Sequence, residues 1–458
     1  MIQTLVSGIC LNGAKQAVLD RFRCPQDIAE FLLAGELSSE NGFFQLGSET
    51  KCWGRCSSGA PCKYVTDDLQ DVTDHISIGD SQVYVPFDPA SVIENLRFER
   101  YCATRLDATT RIGKCMRNMY YFVRPVLELS VRKHLQKMYF RNWQKLQFPN
   151  WPVDLTVENL LEHLLILSMK SRRTHKIPFI WFWPDGARSC CMVTHDVETS
   201  VGQEFCFRLM DLNDSFGIKS AFQIVPDGPY KVSHLLLETI RQRAFEVNIH
   251  DLNHDGRLLS SRERFTRRME RINFYGKQFG ALGFRSAVMY RNVDWYNALN
   301  FRYDMSIPNV AHLDPQRGGC CTVLPFFVGD ILELPLTTIQ DYSLFNILDD
   351  YSLQLWRRQA QSIREKFGLI SFIIHPDYVV RERPQRTYVE LLQYLNDLRS
   401  RQEMWIALPR EIDVWWRLRS KMHLVSVDGT WRIEGEGAER ARLAFAILEN
   451  DALTYTVT

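Results

Sequence analysis

The sequence predicts an α/β protein. Its centre is a barrel of about seven βα units, closed or nearly so, between a small mixed or β-rich N-terminal domain and a short C-terminal β-meander. Three observations predict it. From residue 178 onward, short β-rich runs alternate with amphipathic helical ones. Acidic, imidazole and guanidinium side chains stand where several of those runs stop. After residue 423 the pattern becomes strand, turn, strand, with Asp428-Gly429 as a hairpin signal.

At 458 residues the chain is long for one domain, and four segments are expected. Residues 1–115 hold turn-rich sequence with short apolar runs such as "SQVYVPF" and form the N-terminal accessory domain. Residues 116–177 are a helical connector, with helical spacing in "YYFVRPVLELSVRKHLQKMYFRNW" and "TVENLLEHLLILSMKS". Within the connector, 120–143 sets Arg132, Lys133, Lys137 and Arg141 among aromatics. It reads either as a helix packed on its neighbours or as a contact with a membrane surface. Residues 178–423 are the barrel and 424–458 the meander. The expected barrel strands are "CCMVTHD", "KSAFQIV", "FEVNIH", "ALGFRS", "LELPLT", "LISFIIH" and "MWIALP".

Composition narrows the function classes. Lys and Arg number 55 against 54 Asp and Glu, so bulk charge favours neither nucleic acid nor an acidic polymer as partner. No run approaches the ~20 apolar residues of a membrane span, and "MIQTLVSGICLNGAK" lacks the basic start of a secretory signal. The expected compartment is the cytoplasm, where the 12 cysteines stay mostly reduced. Cys52, Cys56 and Cys62 have no CxxC pair and no nearby fourth ligand, so they read as incidental thiols rather than a zinc site. The pairs Cys190-Cys191 and Cys320-Cys321 read as small core residues.

The chemistry is expected at the strand ends, because the loops after parallel strands converge at one mouth. Asp196 and Glu198 close "CCMVTHDVE", His250 and His254 follow "FEVNI", Arg285 follows "ALGF", and His375 follows "LISFII". The stretch "IHDLNHDG" admits three readings. Asp251, Asn253, Asp255 and Gly256 match the start of a calcium loop, but its twelfth position is Arg262 where a bidentate glutamate is needed. His250 and His254, four apart, fit a nitrogen-ligated metal if a helical turn or a tight loop turns both to one side. The third reading is a polar turn. Period-two alternation puts Asp196 and Glu198 on one face and His195 on the other, so one carboxylate can ligate and the other act as base. Two histidines and one carboxylate leave a position for water, as in catalytic zinc sites; a solvated acidic strand end is the alternative.

In that order, "MVTHDVE", "IHDLNHDG", "GFRSAVMYRN", "FRYDMSIP", "LELPL" and "ISFIIHPDY" resemble the motifs of the polysaccharide deacetylases, carbohydrate esterase family four. The closest resemblance is to a bacterial branch with a "THDV" first motif, and it covers roughly residues 180–410. It implies a distorted (β/α)7 barrel and metal-dependent removal of acetyl groups, more often N-acetyl, from a sugar or polysaccharide precursor. It assigns Asp196 as base, Glu198, His250 and His254 as ligands of a divalent metal, expected to be zinc, Arg285 as the group orienting the base, and His375 as general acid. The step His375-Pro376 suits that role, since a residue before proline is biased to extended geometry. The partner implied is an acetylated sugar or glycan, and the flanks resemble those of members encoded among exopolysaccharide genes.

The chain departs from the pattern in two places. Val197 separates the acids of the first motif and the second acid is glutamate; the third motif reads "RSAVMY", without the usual proline and aromatic. These departures also suit a catalytically inactive barrel that binds a carbohydrate or a partner. A TIM-type amidohydrolase would show an HxH pair, absent among the 11 histidines.

Overall fold

The computed structural model describes residues 9–59, 61–65, 68–102 and 129–458, with side chains in the last stretch described from residue 134. Residues 120–128 of the candidate membrane contact, and the side chains of Arg132 and Lys133, lie outside the described residues. The described chain forms two compact units, each assembled from separate segments.

The first unit takes in 9–102, 155–186 and 417–458, so the N-terminal segment, part of the connector and the C-terminal strands belong together. It is mixed. Strands β1 (Glu30–Leu33), β4 (Ser77–Ile78) and β5 (Gln82–Val85) make one sheet, and β2 (Gly42–Leu46) and β3 (Thr50–Gly54) a hairpin. Helices Asn12–Phe22, Pro89–Arg97 and Thr156–Ser171 accompany them. Helix Pro89–Arg97 starts where its chemistry dictates: the Asp88 carboxylate accepts from Ala90 N at 3.1 Å, and Pro89 opens the first turn.

The C-terminal strands form two hairpins, β16 (His423–Val427) with β17 (Thr430–Glu434) and β18 (Leu443–Glu449) with β19 (Ala452–Val457). Asp428 and Gly429 both take positive φ, 50° and 75°, which matches the right-handed twist of the strands they join. β18 also pairs antiparallel with β6 (Lys176–Ile180), a strand from the far end of the connector. Arg419 is buried beside it and donates to the carbonyls of Ile180, Trp181 and Arg21 at 2.7 to 2.8 Å.

The second unit, 129–154 and 187–416, holds a curled sheet of mainly parallel strands. Its members are β7 (Ser189–Val197), β8 (Ala221–Ile224), β9 (Glu246–His250), β10 (Gly283–Arg285), β11 (Tyr303–Asp304), β12 (Phe326–Val328), β13 (Ile331–Glu333), β14 (Leu369–Ile373) and β15 (Met404–Ile406). The order is β12-β13-β11-β10-β9-β8-β7-β14, with β15 paired to β7 and only β12 antiparallel. Each of the seven strand-like runs of the sequence overlaps one of these strands, while β11 and β12 carry no comparable pattern.

Between β13 and β14 no backbone ladder forms among the described residues; hydroxyl side chains bridge the gap instead. Thr337 Oγ1 donates to Leu369 O at 2.7 Å and accepts from Ser371 N at 3.0 Å, and Thr338 Oγ1 donates to Ser371 O at 2.7 Å. Helical crossovers such as Ser200–Ser215, His234–Gln242 and Arg262–Phe279 follow β7, β8 and β9, but the connections after β10 and β11 hold only short 3-10 turns and β12. That segment, "RNVDWYNALN" to "DPQRGGCC", has turn residues where an amphipathic period would be needed. The parallel order brings the C-terminal ends of β7, β9, β10 and β14 to one side, with the loops that follow them.

Candidate active site

Every residue of β7 is buried, and its alternation decides which side chains reach the interior. Thr194 and Asp196 point one way. His195 points the other, its Nδ1 3.1 Å from Ile374 O and its Nε2 3.2 Å from Asn213 Nδ2. Glu198 lies one residue past the strand. Its backbone is held on both sides: Tyr230 OH donates to Val197 O at 2.6 Å, and Thr199 Oγ1 accepts from Gly202 N at 3.0 Å to cap the following helix.

Arg285, fully buried at the end of β10, grips Asp196. Its NH1 donates to Asp196 Oδ1 at 2.6 Å and to Thr194 Oγ1 at 2.9 Å, and its Nε donates to Met305 O at 3.0 Å. Burial alone would raise the Asp196 pKa; the guanidinium, then His250 and His375, outweigh it and hold the carboxyl below the usual range. Asp196 is therefore an ionised carboxylate with one oxygen clamped. The other, Oδ2, lies 3.7 Å from His250 Nε2.

His250 ends β9 and His254 follows in a tight loop rather than a helical turn, with Asp251, His254 and Gly256 all at positive φ. His250 Nδ1 is 3.2 Å from Arg285 O. A carbonyl only accepts, so Nδ1 is the donor there, which turns Nε2 toward Asp196 and Glu198. That Nε2 is buried and makes no hydrogen bond. One oxygen, Glu198 Oε1, stands 2.8 Å from His254 Nε2 and 3.5 Å from His250 Nε2. Ligand atoms of Glu198, His250 and His254 all lie within 4.8 Å of one another. Two imidazole nitrogens and one carboxylate suit zinc or a similar divalent ion, and a buried ring nitrogen with no hydrogen bond is what such an ion would satisfy. Despite its burial, the Glu198 carboxyl is held well below its usual pKa, mainly by the His254 charge.

The calcium reading of the same loop is excluded by where its side chains go. Asp255 is taken by Arg268 at 2.6 and 2.7 Å, Asn253 Oδ1 lies 3.3 Å from the same guanidinium, and Asp251 turns back to Leu252 N. Cysteine joins no potential metal cluster among the described residues, and Cys56 instead lies 2.9 Å from the Ser58 hydroxyl.

His375 follows β14, in extended geometry before Pro376 (φ −82°, ψ 125°). Asp341, which the sequence reading missed, anchors it. One carboxylate oxygen accepts from His375 N at 2.7 Å and the other faces Nδ1 at 2.6 Å. Burial lowers the imidazole pKa, but Asp341 and Glu198 outweigh it and raise it well above the ordinary value. His375 is therefore an imidazolium with Nδ1–H on Asp341 and Nε2–H facing the cleft, 3.4 Å from Glu198 Oε1. Asp341 carried one usable signal, its place just after the β13 segment, where the strand-end rule applies equally.

The cleft above these groups holds about 820 Å³ of empty space, open solvent at its mouth included. Phe140, Val288, Met289, Tyr342 and Tyr378 line its walls. Val288 and Met289, in the divergent third motif, both take positive φ, 59° and 53°. For a β-branched residue that is a strained conformation of the kind found at functional sites.

No family model matches the chain, and no curated protein matches it in sequence. Among solved structures it is similar to one described as a polysaccharide deacetylase from Mycobacterium smegmatis, at 17% identity and a TM-score of 0.43, covering 52% of this chain and 93% of that one. It is also similar to one described as a polysaccharide deacetylase from Pseudomonas aeruginosa PAO1, at 13% and 0.41, covering 51% and 93%. A third, described as a polysaccharide deacetylase involved in O-antigen biosynthesis in Bordetella bronchiseptica, shows 19% and 0.31 over 51% and 86%.

Proposed function

We propose that this cleft belongs to a metal-dependent hydrolase that removes acetyl groups, N-acetyl in the first instance, from a sugar or polysaccharide precursor. The observation that carries the reading is the pairing, across one cleft, of a ligand set of two histidines and a carboxylate with a clamped, ionised aspartate and an imidazolium. A zinc ion held by Glu198, His250 and His254 would polarise the acyl carbonyl and ease deprotonation of water.

The protein's own groups supply the rest. Asp196, kept ionised and oriented by Arg285, accepts the proton of the attacking water through its unclamped oxygen. His375, kept charged by Asp341, donates its Nε2 proton to the departing amine as the C–N bond breaks, leaving acetate and a free amino sugar. Glu198 is the ligand and Asp196 the base because the guanidinium occupies Asp196, whereas Glu198 Oε1 sits against both histidines. The ordered motifs and the (β/α)7 expectation support the same reading, as does the set of strand-end residues they assign. All the described cysteines are free, which suits a reducing compartment such as the cytoplasm.

The test is metal analysis of the purified protein combined with acetate release from a panel of N- and O-acetylated sugars. About one equivalent of zinc and release from N-acetyl sugars are expected. A metal-loaded protein that binds those sugars and releases nothing would replace the hydrolase reading with that of an inactive, carbohydrate-binding barrel.

A further inference from the structure

One wall of the cleft comes from outside the barrel strands and their loops, from the helix Leu129–Phe140. Gln136 and Phe140, one turn apart, face the cleft, and Tyr342 OH donates to Gln136 Oε1. At 3.6 residues per turn, the stripe beside them is Leu135, Met138 and Tyr139. These three are exposed, at 39, 53 and 59%. The next stripe carries His134 and Lys137, with Arg141 just past the helix, all exposed. The helix therefore turns Gln136 and Phe140 to the cleft and an apolar stripe to solvent, with a cationic edge.

The segments that follow the strands on the same side of the sheet carry similar groups. Val201 and Val380 are exposed on the segments that follow β7 and β14, and Arg257 and Arg381 are exposed on those that follow β9 and β14. The carboxylates nearest in sequence to these arginines are engaged, Asp255 by Arg268 and Glu382 by Arg386. The whole chain is almost neutral, at +1, so this mixture of exposed apolar and basic groups is a local feature.

An exposed apolar stripe flanked by cations fits a bilayer with anionic headgroups, into which the apolar side chains insert while the basic ones meet phosphate. We propose that the mouth of the cleft docks on an anionic membrane through helix Leu129–Phe140, and that the substrate is the saccharide headgroup of a membrane-anchored lipid. The acylated saccharide rests on the deacetylase reading; the docking does not.

The experiment is flotation of the zinc-loaded full chain with phosphatidylcholine vesicles, with and without phosphatidylglycerol. Flotation only with phosphatidylglycerol, weakened by salt, is expected. The triple variant Leu135→Asp, Met138→Asp, Tyr139→Asp should stay unbound. Lys137→Glu with Arg141→Glu should lower partition on the order of thirtyfold. Both should keep the parent's metal content and its acetate release from a water-soluble substrate, which shows that they fold. The docking is overturned if the parent ignores anionic vesicles at low salt, if it floats equally with neutral ones, or if the variants bind like the parent. It is equally overturned if the triple variant merely dissolves a dimer, which would make the stripe a contact between copies. Specific flotation without acetate release would sustain the docking and remove the deacetylase reading.

Discussion

Strand β9 carries a buried polar cluster at each end, and the two differ in what they leave open. At its start Glu246 is fully satisfied: it accepts from Asn248 Nδ2 at 2.5 Å, from Tyr303 OH, and from Arg410 N at 3.1 Å. Asn248 Oδ1 in turn accepts from Gly283 N at 2.8 Å. At its other end His250 keeps a buried nitrogen with no hydrogen bond, beside two carboxylates and His254. One strand thus separates a network that uses all its hydrogen bonds internally from one that holds capacity in reserve. Completed polar networks rigidify; incomplete ones, aimed into a cleft, are where a ligand can contribute. This is the division expected between the two ends of the strands in a curled parallel sheet.

The largest effects should come from emptying the incomplete end. His250→Ala and His254→Ala should each lower bound zinc and abolish acetate release together, read by metal analysis and by product assay. Glu198→Ala should lose metal, whereas Asp196→Asn should retain it while turnover falls by about 10²-fold or more. If Asp196→Asn loses the metal and Glu198→Ala keeps it, the two carboxylates exchange roles. If all of these variants hold metal like the parent, "IHDLNHDG" is a polar turn.

Next in size is the imidazolium. His375→Ala should keep zinc and slow turnover, again by about 10²-fold. Asp341→Asn should act through His375. Without the carboxylate that raises its pKa, His375 loses its proton at lower pH, so the alkaline limb of the kcat profile should move toward neutrality. A uniform fall in rate with no shift of that limb would assign Asp341 a purely structural role.

On the outer face of β7, His195 should set acid stability. Burial lowers its pKa from 6.5 to about 4. The unfolded chain then takes up the proton first, so the contribution is whole above pH 6.5 and is lost as pH falls through about 4. The loss amounts to about 3 kcal/mol. His195→Gln should remove most of that slope in denaturation midpoints measured across this window.

The smallest effect is expected at the completed end. Burial raises the Glu246 pKa. Its contribution is therefore present below the ordinary glutamate value and declines as pH rises through the raised one. Glu246→Gln should flatten this dependence and change stability by about 1–3 kcal/mol, with zinc content and turnover unchanged. A loss of activity there would erase the distinction between the two ends of β9.

Much of this was legible before any coordinates, for identifiable reasons. β7 to β10 and β14 could be read because their apolar runs are buried on both faces, and β13 and β15 from the shorter runs "LELPLT" and "MWIALP". Asp196, Glu198, His250, His254, Arg285 and His375 could be singled out because each stands where such a run ends. Asp341 was not, since the run before it, "LPLTTIQD", offers only a two-residue apolar alternation and its partner lies 34 positions away. β11, with two residues, is too short to carry a period.

By itself, then, the sequence determined the local elements, the α/β class and the chemistry available at the strand ends, because periodicity and residue type act over a few neighbours. The tertiary structure alone decided the pairing of β18 with β6, the hydroxyl bridge from Thr337 to Ser371, the anchoring of His375 on Asp341 and the place of Gln136 and Phe140 in the cleft wall. Each of these joins residues far apart along the chain, and no local pattern encodes which distant partner completes a buried hydrogen bond or covers an apolar face.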